Sequence, residues 1–332
     1  MSEQATRSVR KISFKPLAFE SLGVRSMASL IETPDLRILV DPGVSLGIRF
    51  GLLPHPQEYK ARAELRDLLG EASQRADVIA VSHYHYDHYT PNFTENVLIG
   101  SSPEEAVRLI QDKILFVKDF RTQINPSQRR RGWFFQRFAE KHSKEMHAAD
   151  GKEFSFGGTK LRFSKPVYHG ESGSGLGWVL MLIVSYGEEK VMHASDIQGP
   201  IDETALTEIL PEKPELLVVG GPPLYLSGST VKEDLITRGR ENLIRTCEKI
   251  PVSIVDHHLL RSADWKTFIE PAIEAANSKG NVVLSAAEYE GSPNRLLECR
   301  REELYEQDPP SLEFRTWTRL PKEKRRTEPP PV

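Results

Sequence analysis

Cysteine is nearly missing from this chain: there are two in 332 residues, Cys247 and Cys299, far apart and in no C-x-x-C pair. That excludes a disulfide framework or a cysteine-built zinc knuckle and makes a reducing, cytoplasmic setting the expectation. Long apolar runs are missing as well. Those around 179–184 and 77–81 are strand-sized, short of the roughly 18 residues of a membrane span, so no membrane partner is expected. Neither charge sign dominates: 44 Lys and Arg stand against 47 Asp and Glu, and a net charge of -3 draws the chain to no polyanion as a whole. No G-x-G-x-x-G follows a strand and no P-loop is present, which removes dinucleotide and Walker-type chemistry. Residues 1–11 carry basic side chains but no apolar stretch and read as an untargeted leader.

What is present is the composition of an ordinary globular enzyme, with 39% hydrophobic and 27% charged residues. Strand-like runs at 12–19, 24–32 and 36–40 predict an antiparallel meander, followed by a helix over 60–75 and a buried strand over 77–81. A short strand at 97–99, a helix capped by Ser102 and a strand at 114–117 come next. Strands resume at 159–168, 177–186 and 190–194, and then helices alternate with strands from 201 to 305. Two halves that each begin with antiparallel strands and end with helix-covered strands predict an α+β fold, a four-layer αββα sandwich. The expected domain spans 12–308. It is interrupted at about 119–150 by a segment without strand alternation, and it is followed at 309–332 by a Pro-rich, charged, disordered tail.

The chemistry concentrates in Ser82 to Pro91, SHYHYDHYTP, after the buried strand. In an extended segment residues i and i+2 share a side, so His83 and His85 can grip one ion. Thr90 and Pro91 form a helix-start pair that turns the chain and throws Asp87 and His88 toward the same place, where they can hold a second.

SHYHYDH matches H-x-H-x-D-H and resembles the metallo-β-lactamase superfamily, in particular a mainly archaeal group of predicted metal-dependent hydrolases that share SHYHYDH, ASDxQGP and DHHLLR strings. The remaining superfamily positions have counterparts at predicted strand ends: Asp41 in ILVDPG, His169 in PVYHG, Asp196 in HASDIQG, and His257 with His258 in SIVDHHLL. The resemblance implies one site of His83, His85 and His169 and another of Asp87, His88 and His257, bridged by Asp196. Asp87 and Asp196 are the catalytic candidates. The cofactors would be two divalent ions, with zinc the default and iron or manganese compatible with the same ligands. A hydroxide bridging the ions would attack an ester, lactone or phosphodiester, in a small-molecule or phosphodiester substrate. Iron-dependent redox chemistry on the same fold, and a nuclease or nucleic-acid-binding protein, are the alternative functions.

Asp41 reads as a support that orients a ligand imidazole, or equally as a turn residue before Pro-Gly; His193 reads as packing or as a similar support. His258 is the alternative to His257 as ligand. Between Arg121 and Lys144 the basic residues Arg121, Arg129, Arg130, Arg131, Arg137, Lys141 and Lys144 interleave with Trp133, Phe134, Phe135 and Phe138. This pattern suits either an amphipathic lid or a surface that binds nucleic acid over 121–144. Tyr84, Tyr86 and Tyr89 read as packing around the metal loop, and His55 as a surface residue. Nothing in the sequence fixes an oligomeric state.

Overall fold

The computed structural model describes residues 11–332, so the expected leader falls, Lys11 apart, outside the described residues. The first half begins with the predicted meander, β1 (Ser13–Phe19), β2 (Met27–Glu32) and β3 (Arg37–Val40), all antiparallel. Helix α1 (Pro56–Arg75) then carries the chain over to β4 (Val78–Val81), parallel to β3. Helix α2 (Pro103–Ile110), β5 (Ile114–Val117), α3 (Pro126–Ala139) and β6 (Glu145–Ala148) extend the sheet in parallel to six strands.

The second half repeats the plan. Strands β7 (Glu153–Phe156) and β8 (Thr159–Phe163) are followed by a two-stranded ribbon of β9 (Val167–Tyr168) and β10 (Trp178–Val179), then by β11 (Leu182–Tyr186) and β12 (Glu189–His193). Strands β7, β8, β11 and β12 pair antiparallel. Helices α4 (Glu203–Ile209), α5 (Glu233–Cys247) and α6 (Trp265–Asn277) then alternate with β13 (Leu216–Gly220), β14 (Val252–Asp256) and β15 (Val282–Leu284), which join in parallel to complete a seven-stranded sheet. Four short helices close the chain: α7 (Ala286–Tyr289), α8 (Arg301–Gln307), α9 (Leu312–Thr318) and α10 (Lys322–Thr327).

Side-chain alternation explains the layering. In β4, Val78 and Ala80 enter the core between the two sheets, while Ile79 and Val81 face the opposite way, among residues of α1 and α2. The inter-sheet core joins Ile31, Ile38 and Phe116 to Leu182, Val218 and Ile254. On the far face of the second sheet, Met192, Leu217 and Val219 pack with residues of α4, α5 and α6. These four layers are the αββα sandwich expected from the sequence.

Five details differ from the sequence reading. Thr90 and Pro91 start no helix: the chain runs through turns to Ser102, and the Thr90 hydroxyl donates to the Pro42 carbonyl at 2.9 Å instead of capping. Val97 to Ile99 form no strand, because all three backbone amides donate to the Glu95 carboxylate and are lost to a ladder. The segment at 119–150 contains β6 as well as a helix, and so completes the first sheet at its edge. His55 is fully buried: it caps α1 in a capping box with Glu58, and its Nε2 lies 2.8 Å from the Asp308 carbonyl. The tail, expected to be disordered from its prolines and charges, folds into α9 and α10. Composition averages over Phe314 and Trp317, which share one helical face and pack their rings 5.8 Å from Tyr59.

Candidate metal centre

The site lies where the C-terminal ends of β3, β4, β12 and β14 converge. Three residues just past those strands adopt left-handed backbone: Asp41 (φ 48°), Ser195 (φ 56°) and His257 (φ 63°). That conformation is costly for residues other than glycine, and its recurrence at strand exits marks turns held by their surroundings. Gly43, after Asp41, lets the two loops touch; a Cβ there would sit 2.2 Å from the Tyr89 amide nitrogen.

Asp41 ties the halves together. Its carboxylate accepts from the Ser82 amide and hydroxyl, each at 2.7 Å, and from the Ser195 hydroxyl at 3.0 Å. It also meets His88 Nδ1 at 2.9 Å. A carboxylate can only accept, so Nδ1 carries the proton and Nε2 is left facing the site.

The predicted ligands gather in overlapping groups whose donor atoms lie within 4.8 Å of one another: His83, His85, His169 and Asp196; Asp87, His88 and His257; and Asp196, His257 and His258. His83 Nε2 and His85 Nδ1 face each other at 3.2 Å, and His169 Nε2 lies 2.8 Å from Asp196 Oδ2. His257 Nε2 is 3.5 Å from Asp87 Oδ2 and 3.4 Å from Asp196 Oδ2. Asp196 is thus common to two groups. His193 Nε2 is 2.9 Å from the Met27 carbonyl oxygen, joining β12 to β2, and among the described residues it makes no hydrogen bond to a predicted ligand.

His258 is also close to Asp196, with Nε2 at 3.1 Å from Oδ2, but its tautomer is constrained. Its Nδ1 lies 3.0 Å from an Arg261 N–H and 3.1 Å from the Tyr225 hydroxyl. A guanidinium never accepts, so Nδ1 is the acceptor and Nε2–H donates toward Asp196.

Burial sets the charge states. It holds the His83 and His257 rings below their usual pKa and takes His85 and His258 down to about 3. His88 is the exception: burial opposes its charge, but Asp41, then Asp87, outweigh that and lift it to about 9. Burial works against the charged forms of Asp87 and Asp196, yet the facing imidazoles keep both below the carboxylate range.

A metal pair fits these residues on a further observation. His88 Nε2, His169 Nδ1 and Asp196 Oδ1 are buried without a hydrogen-bond partner. Buried polar atoms are rarely left so, and imidazoles around two carboxylates are the donor set of a divalent ion.

Several contributing residues escaped the sequence reading. Arg261, buried, donates to Glu20 at 2.9 Å and stands 3.8 Å from Asp87. Its place four residues after His257 was a usable signal, but Glu20, at the other end of the chain, carried none. Gln128 on α3 accepts from the Tyr84 amide at 3.1 Å and brings its Nε2 to 3.5 Å from His85 Nε2.

Residues 24–244 match the profile of a β-lactamase superfamily domain. A UPF0282 protein of Methanopyrus kandleri is 42% identical over 87% of this chain and 97% of its own length. Another, from Sulfolobus acidocaldarius, is 38% identical over 90% of this chain and 94% of its own. Among solved structures, one titled a metal-dependent hydrolase of the β-lactamase superfamily aligns with 83% of this chain and 96% of its own, at 13% identity and a TM-score of 0.45. The chain belongs to the β-lactamase superfamily, with the metallo-β-lactamase fold, and within it to the UPF0282 family.

Proposed function

We propose that this protein is a dinuclear metal-dependent hydrolase acting on an ester, lactone or phosphodiester. The observation that carries the reading is the set of buried, unpartnered donor atoms on His88, His169 and Asp196, which lie among the other His and Asp side chains. His83, His85 and His169 would hold one ion and Asp87, His88 and His257 the other, with Asp196 shared. When bound, the two ions supply an acidified water as nucleophile and polarise the oxygen of the group under attack. The chain's own residues do the rest: Asp41 fixes the His88 tautomer, and His258 presents an N–H at the site with Arg261 and Tyr225 behind it. A protein nucleophile has little support. Burial pushes the Cys247 thiol up to about 12 and Cys299 to about 11, and the Ser82 and Ser195 hydroxyls are engaged by Asp41.

The test is metal analysis of natively purified protein combined with a panel of aryl ester, lactone and phosphodiester substrates. About two ions per chain, with hydrolysis lost on chelation and in Asp196→Ala, supports the reading. Folded protein with only trace metal overturns it, and stoichiometric iron with oxygen-dependent turnover transfers the assignment to redox chemistry.

A further inference from the structure

Beside the metal motif lies a cavity of about 820 Å³, bounded on one side by Tyr86 and Phe93 and on the other by Arg130, Arg131 and Phe134 of α3. It shares Tyr86 with the motif, where that residue stands between His85 and Asp87. The wall formed by α3 is anchored to the metal motif. Gln136 donates to the Tyr84 hydroxyl at 2.6 Å and to the Lys118 carbonyl at 3.0 Å, Phe135 is buried, and a Cβ at Gly132 would come within 2.5 Å of the Tyr84 ring.

The charges facing this cavity are unspent. Arg121 and Arg137, flanking it in sequence, pair with Asp119 and Glu140. Arg130 and Arg131 have no carboxylate partner among the described residues. Arg131 is held in place by stacking 4.4 Å over the Tyr86 ring and by a 3.3 Å bond to the Tyr84 carbonyl, which occupies one of its five N–H donors. Phe134 is 52% exposed, with the Arg130 guanidinium 6.0 Å over its ring, and Trp133, outside the cavity lining, packs edge-on against it at 4.9 Å. Two guanidinium groups with open donors next to aromatic rings suit a phosphate joined to a flat aromatic base, and the volume lies within the range of pockets that enclose one small ligand. An aryl carboxylate offers two acceptor oxygens against the three of a phosphate monoester and is the competing ligand.

We infer that this cavity is a nucleotide subsite, with the base stacked among Tyr86, Phe93 and Phe134 and the phosphate on Arg130 and Arg131. This deepens the hydrolase reading and rests on it, since it makes the substrate a nucleotide phosphodiester. The nucleotide is either free or the end of a single strand; the chemistry is shared.

Calorimetric titration of the metal-loaded full chain with an adenosine phosphorothioate, adenosine, inorganic phosphate, benzoate and a short phosphorothioate single strand tests it. The nucleotide should bind at least about tenfold more tightly than adenosine, phosphate or benzoate. Arg130→Ala should weaken binding by about tenfold and flatten its salt dependence, and Phe134→Ala should weaken it equally at all salt concentrations. Both side chains are exposed, so metal content serves as the control for an intact site. Binding of the free nucleotide or of the strand supports the proposal, and their ratio names the source. Phosphate binding as tightly as the nucleotide, or no nucleotide binding, overturns it. Hydrolysis of bis(p-nitrophenyl) phosphate by the unaltered protein is scored separately: its absence counts against the hydrolase reading and leaves the binding result to judge the subsite.

Discussion

Asp41 and His88 meet at 2.9 Å, Oδ2 to Nδ1, with neither side chain exposed to solvent. The contact sits behind the metal centre and also holds the seam between halves, since the same carboxylate takes Ser82 from the first half and Ser195 from the second. Asp41→Asn removes the charge that keeps the proton on Nδ1, so Nε2 is no longer reliably free for an ion. The expected result is a loss of metal affinity by about 10- to 100-fold, with the fold retained. Competition titration against a metal indicator checks it; unchanged affinity would show that Asp41 is a structural seam alone.

The same pair gives metal binding a pH dependence. In the metal-free chain His88 is raised to about 9, so near pH 7.5 its ring is protonated and an ion must displace that proton. His83, His85, His257 and His258 are pushed the other way and are already neutral there. Metal loading should therefore release about one proton from His88 at pH 7.5, and none from it well above pH 9. Apparent affinity should climb as pH rises toward 9 and then level off. Calorimetry in buffers of different ionisation enthalpy counts the proton, and zero release at pH 7.5 would remove His88 from the ligands.

The motif at 83–88 was legible because four ligand residues fall within six positions and the flanking strand and turn fix where they point. Asp41, His169, Asp196 and His257 were legible as residues at strand exits, which the structure draws to one edge. What the sequence hid was of two kinds. Glu20 and Arg261 are far apart in the chain, and only the closure of the sandwich joins them into a buried pair. Elements such as β6 and α9 are short, and their apolar positions are too few to outweigh surrounding charge and proline in any windowed reading, although Phe314 and Trp317 are 1% and 5% exposed.

The Glu20–Arg261 pair, 2.9 Å apart and nearly without solvent exposure, should be expensive to break. Burial lifts Glu20 to about 8 even beside Arg261, so Arg261→Met leaves a buried carboxyl that takes up a proton and lacks its partner, a change expected to cost about 1–3 kcal/mol at pH 7 and more at higher pH. Adding Glu20→Gln should recover part of that loss above pH 8, because the amide carries no charge to bury. Denaturant unfolding of both variants measures the difference, and equal stabilities for the single and double variants above pH 8 would contradict it.

The C-terminal helices should be integral to the domain. Trp317→Ala removes a ring that contacts Tyr59 and Phe314 in the outer core of the first half, for an expected loss of about 3–5 kcal/mol. Ending the chain at residue 308 should lower the melting temperature further, by also removing Phe314. A truncated protein that melts with the full chain would mean the tail is dispensable.

His257 and His258 can be told apart by their hydrogen bonds. His257 Nε2 faces both Asp87 and Asp196, within 3.5 Å, and Arg261 reaches its two ring nitrogens only at 3.4 Å, whereas His258 Nδ1 accepts from Arg261 at 3.0 Å and from Tyr225 at 3.1 Å and so keeps its proton on Nε2. A nitrogen that carries a proton cannot ligate, so His257 is the expected ligand and His258 a donor toward Asp196. The backbone complicates the obvious substitution, because His257 sits at φ 63°, where alanine is strained and asparagine is tolerated. His257→Asn should therefore keep the fold while metal content falls from about two ions toward about one. His258→Gln, whose amide can still donate, should retain about two ions with catalysis reduced. Metal counting with melting curves on both variants decides the matter: if His258→Gln loses the ion and His257→Asn keeps it, the ligand is His258, and Arg261 must move away from Nδ1 when metal enters.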